Sequence, residues 1–192
     1  MSTTTRLITA DELLVMPPYD ENGNQCRFEL IRGELQVMSL GKPLHGVICV
    51  RIGSALFRFV EANDLGMAFA AETGFVVERD PDSVLGADAS FVSHERLATV
   101  DNFEKYFPFA PDLAVEVLSP GNTRREMEGK IAMYFAAGSR AVWVFDPKKR
   151  TAAVYTSPSE VRVFNEDERF DGGEVLPGFT LDLVKLFDVG KK

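Results

Sequence analysis

Glu116 lies inside the otherwise apolar run Leu113-Ala114-Val115-Glu116-Val117-Leu118. A run without polar alternation is what a strand buried on both faces looks like, and such strands belong to sheets covered by helices on both sides. A carboxylate there is costly unless a cation or several hydrogen bonds compensate it. Something positive must therefore face Glu116. Its partner is either a structural ion pair or part of a functional site, and the site is favoured because strongly perturbed buried acids cluster at function.

The surrounding segments give the architecture. Ser119-Pro120-Gly121 signals a turn, followed by a helix over 123–137 that Gly138 stops. The stretch 141–145 is a nearly all-apolar strand ended by Asp146-Pro147. Strand, crossover helix and strand in succession predict a parallel βαβ unit inside a mixed sheet. Upstream, Thr9 and Glu12 have the spacing of a capping box for a short helix ending near Pro17-Pro18. After a polar loop over 19–25, strands at 28–31 and 34–40 joined at Arg32-Gly33 read as a β-hairpin. Pro43 opens a long helix to about Asn63, with Leu44, Val47, Ile48, Ile52, Ala55, Leu56 and Phe59 as its buried stripe. Strands are expected at 67–71, 74–78 and 88–92, with Asp80-Pro81-Asp82 as a turn and 85–87 as a flexible link. Later strands fall at 151–156 and 161–164, and a short helix closes the chain over 181–189.

Composition narrows the function. With 192 residues, 45% hydrophobic and 26% charged, the chain can bury a full core as one domain over 1–192. A formal net charge of −8 argues against a protein that coats nucleic acid by placing many cations on phosphates. It still permits an enzyme with a local basic rim around a metal. Cys26 and Cys49 are too few and too isolated for a disulfide framework or a zinc site, and read as buried free thiols. The N-terminus shows no basic-then-apolar signal segment, and no run reaches the roughly 18 apolar residues of a membrane span. The expected location is the cytoplasm, away from membranes.

Two further residues share the chemistry of Glu116. Asp88 opens the segment 89–92, and is either a turn residue capping a strand end or a second acid of the site. Lys130 stands between Met127 and Tyr134, both expected on the sheet-facing side of their helix. It is either aimed inward or paired at i,i+4 with Glu126. Two oxygen-donor carboxylates suit Mg²⁺, with Mn²⁺ as a substitute. Such a metal polarises a scissile phosphate and acidifies water, while a lysine orients that water and offsets phosphoryl charge.

In order along the chain, these residues resemble the putative restriction endonuclease family, a bacterial group with the PD-(D/E)XK nuclease fold. The resemblance runs from Thr9-Ala10-Asp11-Glu12-Leu13 to about Phe187. It is carried by Phe28-Glu29-Leu30-Ile31-Arg32-Gly33-Glu34-Leu35, by His45, and by the acidic strand over 88–93. Pro111-Asp112-Leu113-Ala114-Val115-Glu116-Val117-Leu118-Ser119-Pro120, Lys130 with Tyr134, and Val142-Trp143-Val144-Phe145-Asp146-Pro147 complete it. The resemblance implies a restriction-endonuclease-like mixed β-sheet flanked by helices, with an N-terminal β-hairpin, extra C-terminal strands and a core over about 9–187. It implies Asp88 and Glu116 as metal-binding acids and the Val117 carbonyl as a third metal ligand.

In the wider superfamily the lysine usually lies two residues after the second acid, which here is Leu118; the resemblance implies that this family takes it instead from the next helix, where Lys130 lies. The proline that commonly precedes the first acid is Ala87. Asp112, in the literal Pro111-Asp112, lies roughly 13 Å along the strand from Glu116 and is expected to be structural. Glu29 could add a contact to the metal shell and His45 could face the site. For each, a salt-bridged strand residue or a satisfied helix histidine is the alternative. Arg124 and Arg125 either reach DNA phosphates or are solvated.

The function expected is a Mg²⁺-dependent endonuclease hydrolysing DNA phosphodiester bonds, and the resemblance to the wider superfamily implies 5′-phosphate and 3′-hydroxyl ends. The alternatives are a non-catalytic regulatory or nucleic-acid-binding module that keeps the fold, and a hydrolase of another phosphodiester or nucleotide. A homodimer would suit cutting of both strands. No recognition helix or zinc finger is present to read base sequence.

Overall fold

The computed structural model describes residues 6–20, 22–38 and 40–190. Helix α1 (Ala10–Leu14) begins at a reciprocal capping box between Thr9 and Glu12. Strands β1 (Arg27–Ile31) and β2 (Glu34–Met38) form an antiparallel hairpin, and its turn holds both Arg32 and Gly33 at positive φ. Helix α2 (Pro43–Ala62) starts on its proline, whose missing N–H would be unpaired there in any case. Strands β3 (Gly66–Ala70), β4 (Gly74–Glu78), β5 (Ser83–Gly86) and β6 (Ala89–Ser93) follow, then the short helix α3 (His94–Leu97). Strand β7 (Leu113–Val117), helix α4 (Arg124–Ala136) and strand β8 (Ala141–Asp146) form the expected βαβ unit. Strands β9 (Thr151–Ser157), β10 (Glu160–Asn165), β11 (Arg169–Asp171) and β12 (Thr180–Asp182) and helix α5 (Leu183–Phe187) complete the order.

The main sheet is mixed, in the order β10-β9-β8-β7-β6-β3. Strand β7 runs parallel to β8 and antiparallel to β6, and every residue in it is buried. Its side chains alternate between two cores. Leu113, Val115 and Val117 join Ile48, Ile52 and Leu56 of α2 in one apolar cluster, while Ala114 joins Met127, Ile131 and Tyr134 of α4 in another. The period of two therefore turns Glu116 toward α4.

Three sequence expectations are corrected. The link over 85–87 is not flexible: residues 83–86 form β5, which pairs with β4 and β1 in a second sheet ordered β2-β1-β5-β4. Leu85 is fully buried there, and burial of an apolar side chain between two strands outweighs the local turn signal of Gly86. On α2, Leu44 is 43% exposed, and the fully buried stripe is Ile48, Ile52, Leu56 and Val60. The strand expected from Asp88 begins at Ala89, leaving Asp88 at its lip.

By length and composition α2 is also apolar enough to cross a membrane, with 20 residues and a mean hydropathy of 1.3. Its four buried residues pack on the main sheet.

Candidate active site

Each acid reaches the site by a different local rule. Glu29 alternates inward from β1 and is buried. Asp88 sits just before β6, its N–H donating to the Val115 carbonyl at 2.9 Å. One Asp88 carboxylate oxygen accepts the Val117 N–H at 2.7 Å, which locks the side chain across the end of β7. Glu116 projects from β7 under α4.

Helix α4 has its own reciprocal capping box, Thr123 with Glu126, and the Glu126 carboxylate accepts the Thr123 N–H at 2.8 Å. Glu126 is thus committed to the cap and does not pair with Lys130. Met127, Ile131 and Tyr134 are the buried residues of the helix, and Lys130 lies on their shoulder with 14% of its side chain exposed. Its Nζ donates to Glu29 Oε1 at 2.7 Å and lies 3.9 Å from Glu116 Oε1. Glu29 Oε1 also accepts the Gly86 N–H at 3.2 Å.

The six residues singled out from the sequence, Glu29, His45, Asp88, Glu116, Val117 and Lys130, all line one cleft of about 310 Å³. His45 Nε2 lies 3.3 Å from Asp88 Oδ2. Asp112 is elsewhere and structural: its carboxylate accepts the Ser93 N–H at 2.8 Å. Arg124 is solvated and paired with Glu128 at 2.7 Å.

Tyr134 was missed as a site residue. Its fully buried hydroxyl donates to Glu116 Oε1 at 2.8 Å. The signal was available, because a buried tyrosine needs a partner for its hydroxyl and this one follows Lys130 by a helical turn. Tyr134→Phe removes the donor and leaves a buried acceptor short of one bond. The expected cost is about 1–3 kcal/mol, measured by urea unfolding; an unchanged midpoint would mean the bond carries no weight.

The electrostatics are those of an unbalanced acidic site, with Glu29, Asp88 and Glu116 facing the Lys130 ammonium and the His45 imidazole, while Arg27 and Glu72 in the same cleft pair with each other at 2.9 Å. Burial lifts Glu116 to about 7 against the pull of Lys130, and the charges of Asp88 and Glu29 add to the rise. Burial works to lower Lys130, but Glu116 and Glu29 outweigh it and raise it above its ordinary value. The ammonium therefore stays charged. The hydrogen bond to Asp88 raises His45 despite burial, and the Val117 backbone contributes. Burial, and then Glu116, hold Tyr134 well above its ordinary value, so it remains a donor.

These directions fix a pH dependence. An acid raised on folding stabilises the native state only while it holds its proton. The Glu116 contribution is therefore fully present below 4.5 and lost as pH climbs through about 7. His45, a raised base, adds a loss of the same sign, beginning at its ordinary 6.5 and completed above its folded pKa. With chelator present, the melting temperature should fall as pH rises from 4.5 through about 7, and fall further above that as His45 loses its proton. Glu116→Gln should flatten the lower part of that fall and leave the upper part. An identical profile in the variant would contradict the assignment.

A mixed sheet flanked by helices, with an acidic cleft at the end of its central strands, defines a protein of the restriction-endonuclease-like class. A crystal structure at 1.96 Å resolution of a putative nuclease belonging to DUF820 from Anabaena variabilis ATCC 29413 is similar to this chain with a TM-score of 0.77. The two are 25% identical, and the match covers 94% of this chain and 97% of that one. The model of the Uma2 family, described as Putative restriction endonuclease, matches residues 10–184, and the chain belongs to that family. No curated protein matches it.

Proposed function

We propose that this chain is a divalent-metal-dependent endonuclease that hydrolyses DNA phosphodiester bonds, with Asp88, Glu116 and the Val117 carbonyl holding Mg²⁺, or Mn²⁺ in its place. One observation carries the reading: Lys130 Nζ lies between Glu29 at 2.7 Å and Glu116 at 3.9 Å in the cleft that Asp88 also lines. The donor set fits the ion. All three groups offer oxygen, which hard cations prefer, and Glu116 is buried without enough positive charge to balance it. When bound, Mg²⁺ supplies polarisation of the phosphate and makes water a stronger acid.

The chain's own residues do the rest. Glu29 anchors the Lys130 ammonium by a charge-assisted bond, so Lys130 meets the phosphate already oriented. From there it positions a water and offsets the negative charge that grows on the phosphoryl oxygens. Tyr134 fixes the rotamer of Glu116, and His45 and the Val117 N–H fix that of Asp88. Tyr134, His45 and the Val117 N–H thus act by positioning, whereas the Val117 carbonyl is a ligand. The reading extends to one domain over 1–192, a cytoplasmic location and a homodimer that brings two sites to the two strands.

Incubation of the chain with supercoiled plasmid tests it. Nicked and linear DNA should form with Mg²⁺ or Mn²⁺, and neither with EDTA nor with Glu116→Ala. Cleavage that survives both controls would sink the assignment. The absence of cleavage by purified, folded protein would favour the binding-module reading, which the family fold also accommodates.

A further inference from the structure

Cys49 plays no part in the proposed chemistry, yet it lies within reach of it. It follows His45 by four residues on α2, so both side chains leave the same face of the helix. The donor atoms of His45, Cys49 and Asp88 all lie within 4.8 Å of one another, and all three residues are half-buried. The separations are close to those a tetrahedral ion would impose. Zinc bonds of about 2.0–2.1 Å to nitrogen and oxygen and about 2.3 Å to sulfur give tetrahedron edges of about 3.3 Å between N and O and about 3.5 Å between N and S. His45 Nε2 lies 3.3 Å from Asp88 Oδ2, and Cys49 Sγ lies 3.8 Å from that nitrogen and 3.4 Å from Nδ1, so a small rotation of the imidazole brings Nε2 to the N–S edge. The supports are also built: the Val117 N–H orients the carboxylate at 2.7 Å, and the helix backbone fixes the other two ligands.

We infer that His45, Cys49 and Asp88 form a site for a thiophilic divalent cation, best matched by Zn²⁺, with a fourth position left for water. The oxygen-only set of the nuclease site and this nitrogen–sulfur–oxygen set select ions of different softness. They share Asp88. To that extent the inference rests on the nuclease reading, and an ion in the thiophilic site withdraws Asp88 from the other set and inhibits cleavage. Binding is a ligand exchange without redox change. The sulfur–metal bond forms as the Cys49 thiol proton leaves to solvent, because a coordinated thiol is deprotonated outright.

Cobalt(II) titration of the full chain tests the site without DNA or turnover, so failure of the nuclease reading would not touch it. Wild type and Cys26→Ser should both develop the near-ultraviolet thiolate-to-cobalt charge-transfer band, and Zn²⁺ should bleach it. The band should be absent in Cys49→Ser and Cys49→Ala. Zn²⁺ affinity, by competition with a chromophoric chelator, should fall on the order of tenfold or more in His45→Ala. A second readout needs only wild type: Zn²⁺ should slow alkylation of Cys49 and not of Cys26, followed by mass spectrometry of the two peptides. No charge-transfer band in wild type, a band that survives loss of Cys49, or equal alkylation with and without Zn²⁺ would overturn the inference.

Discussion

Replacing Lys130 with methionine is expected to cost about 3–5 kcal/mol of folding stability, the usual penalty for breaking a buried ion pair from one side. Metal-dependent cleavage should fall by roughly 10²–10³-fold, the scale of a lost charge-stabilising donor. Methionine keeps much of the apolar stem, so the loss comes from the charge. Glu29, with 8% of its side chain exposed, would retain, among the described residues, only the Gly86 N–H at 3.2 Å. Glu116 would lose the cation that opposes its rise, and would take up a proton more readily. Adding Glu29→Gln to Lys130→Met should restore most of the stability, because the stranded charge is gone, and none of the activity. Urea unfolding and plasmid cleavage of the single and double variants separate the two effects. A single variant as stable as wild type would show that the pair is solvated. A single variant as active as wild type would remove Lys130 from the mechanism.

Glu116→Gln should behave in the opposite way. Cleavage should drop by on the order of 10²–10³-fold or more, since one of the two carboxylates proposed to hold the metal is gone. Stability should change by less than about 1 kcal/mol, or rise, because a buried, poorly compensated charge is removed. The amide oxygen can still accept from Tyr134. Little is lost at Lys130, whose short bond runs to Glu29 at 2.7 Å while Glu116 stands at 3.9 Å. Lys130 thus supports the fold through Glu29, and its place beside Glu116 is what the proposed chemistry uses.

The centre of this fold was legible in the sequence because its signals are local. The run around Glu116, the turn after it, the capping residue Thr123 and the stop at Gly138 each follow from a few neighbouring residues. Strand β5 was not legible: it has four residues, includes a glycine, and exists through pairing with β1 and β4. The same holds for the three-residue β11 and β12, whose register depends on each other. At the site, residue types were readable and partners were not. The sequence pointed to an inward Lys130 facing Glu116, whereas its shortest contact is Glu29, 101 positions away in the chain. Glu29 was read as an addition to a metal shell, and its observed bonds are to Lys130 and Gly86. Spacing alone gave no reason to place Cys49 near a metal. Only the fold carries Asp88 to the face where His45 and Cys49 stand.

The central claim is that these carboxylates are gathered to hold a divalent cation, and the thermal response to that cation tests it most directly. Melting temperatures of wild type and Glu116→Gln would be measured in chelator and across a Mg²⁺ or Mn²⁺ titration at neutral pH. Binding to the native state alone stabilises by mass action, about 2.7 kcal/mol at a hundred times the dissociation constant. Wild type should therefore melt progressively higher as the ion is added, and Glu116→Gln should melt near the metal-free wild-type temperature with no response. A variant that is strongly destabilised in chelator, beside a wild type indifferent to either ion, would mean that Glu116 is a structural ion-pair partner and the metal site does not exist.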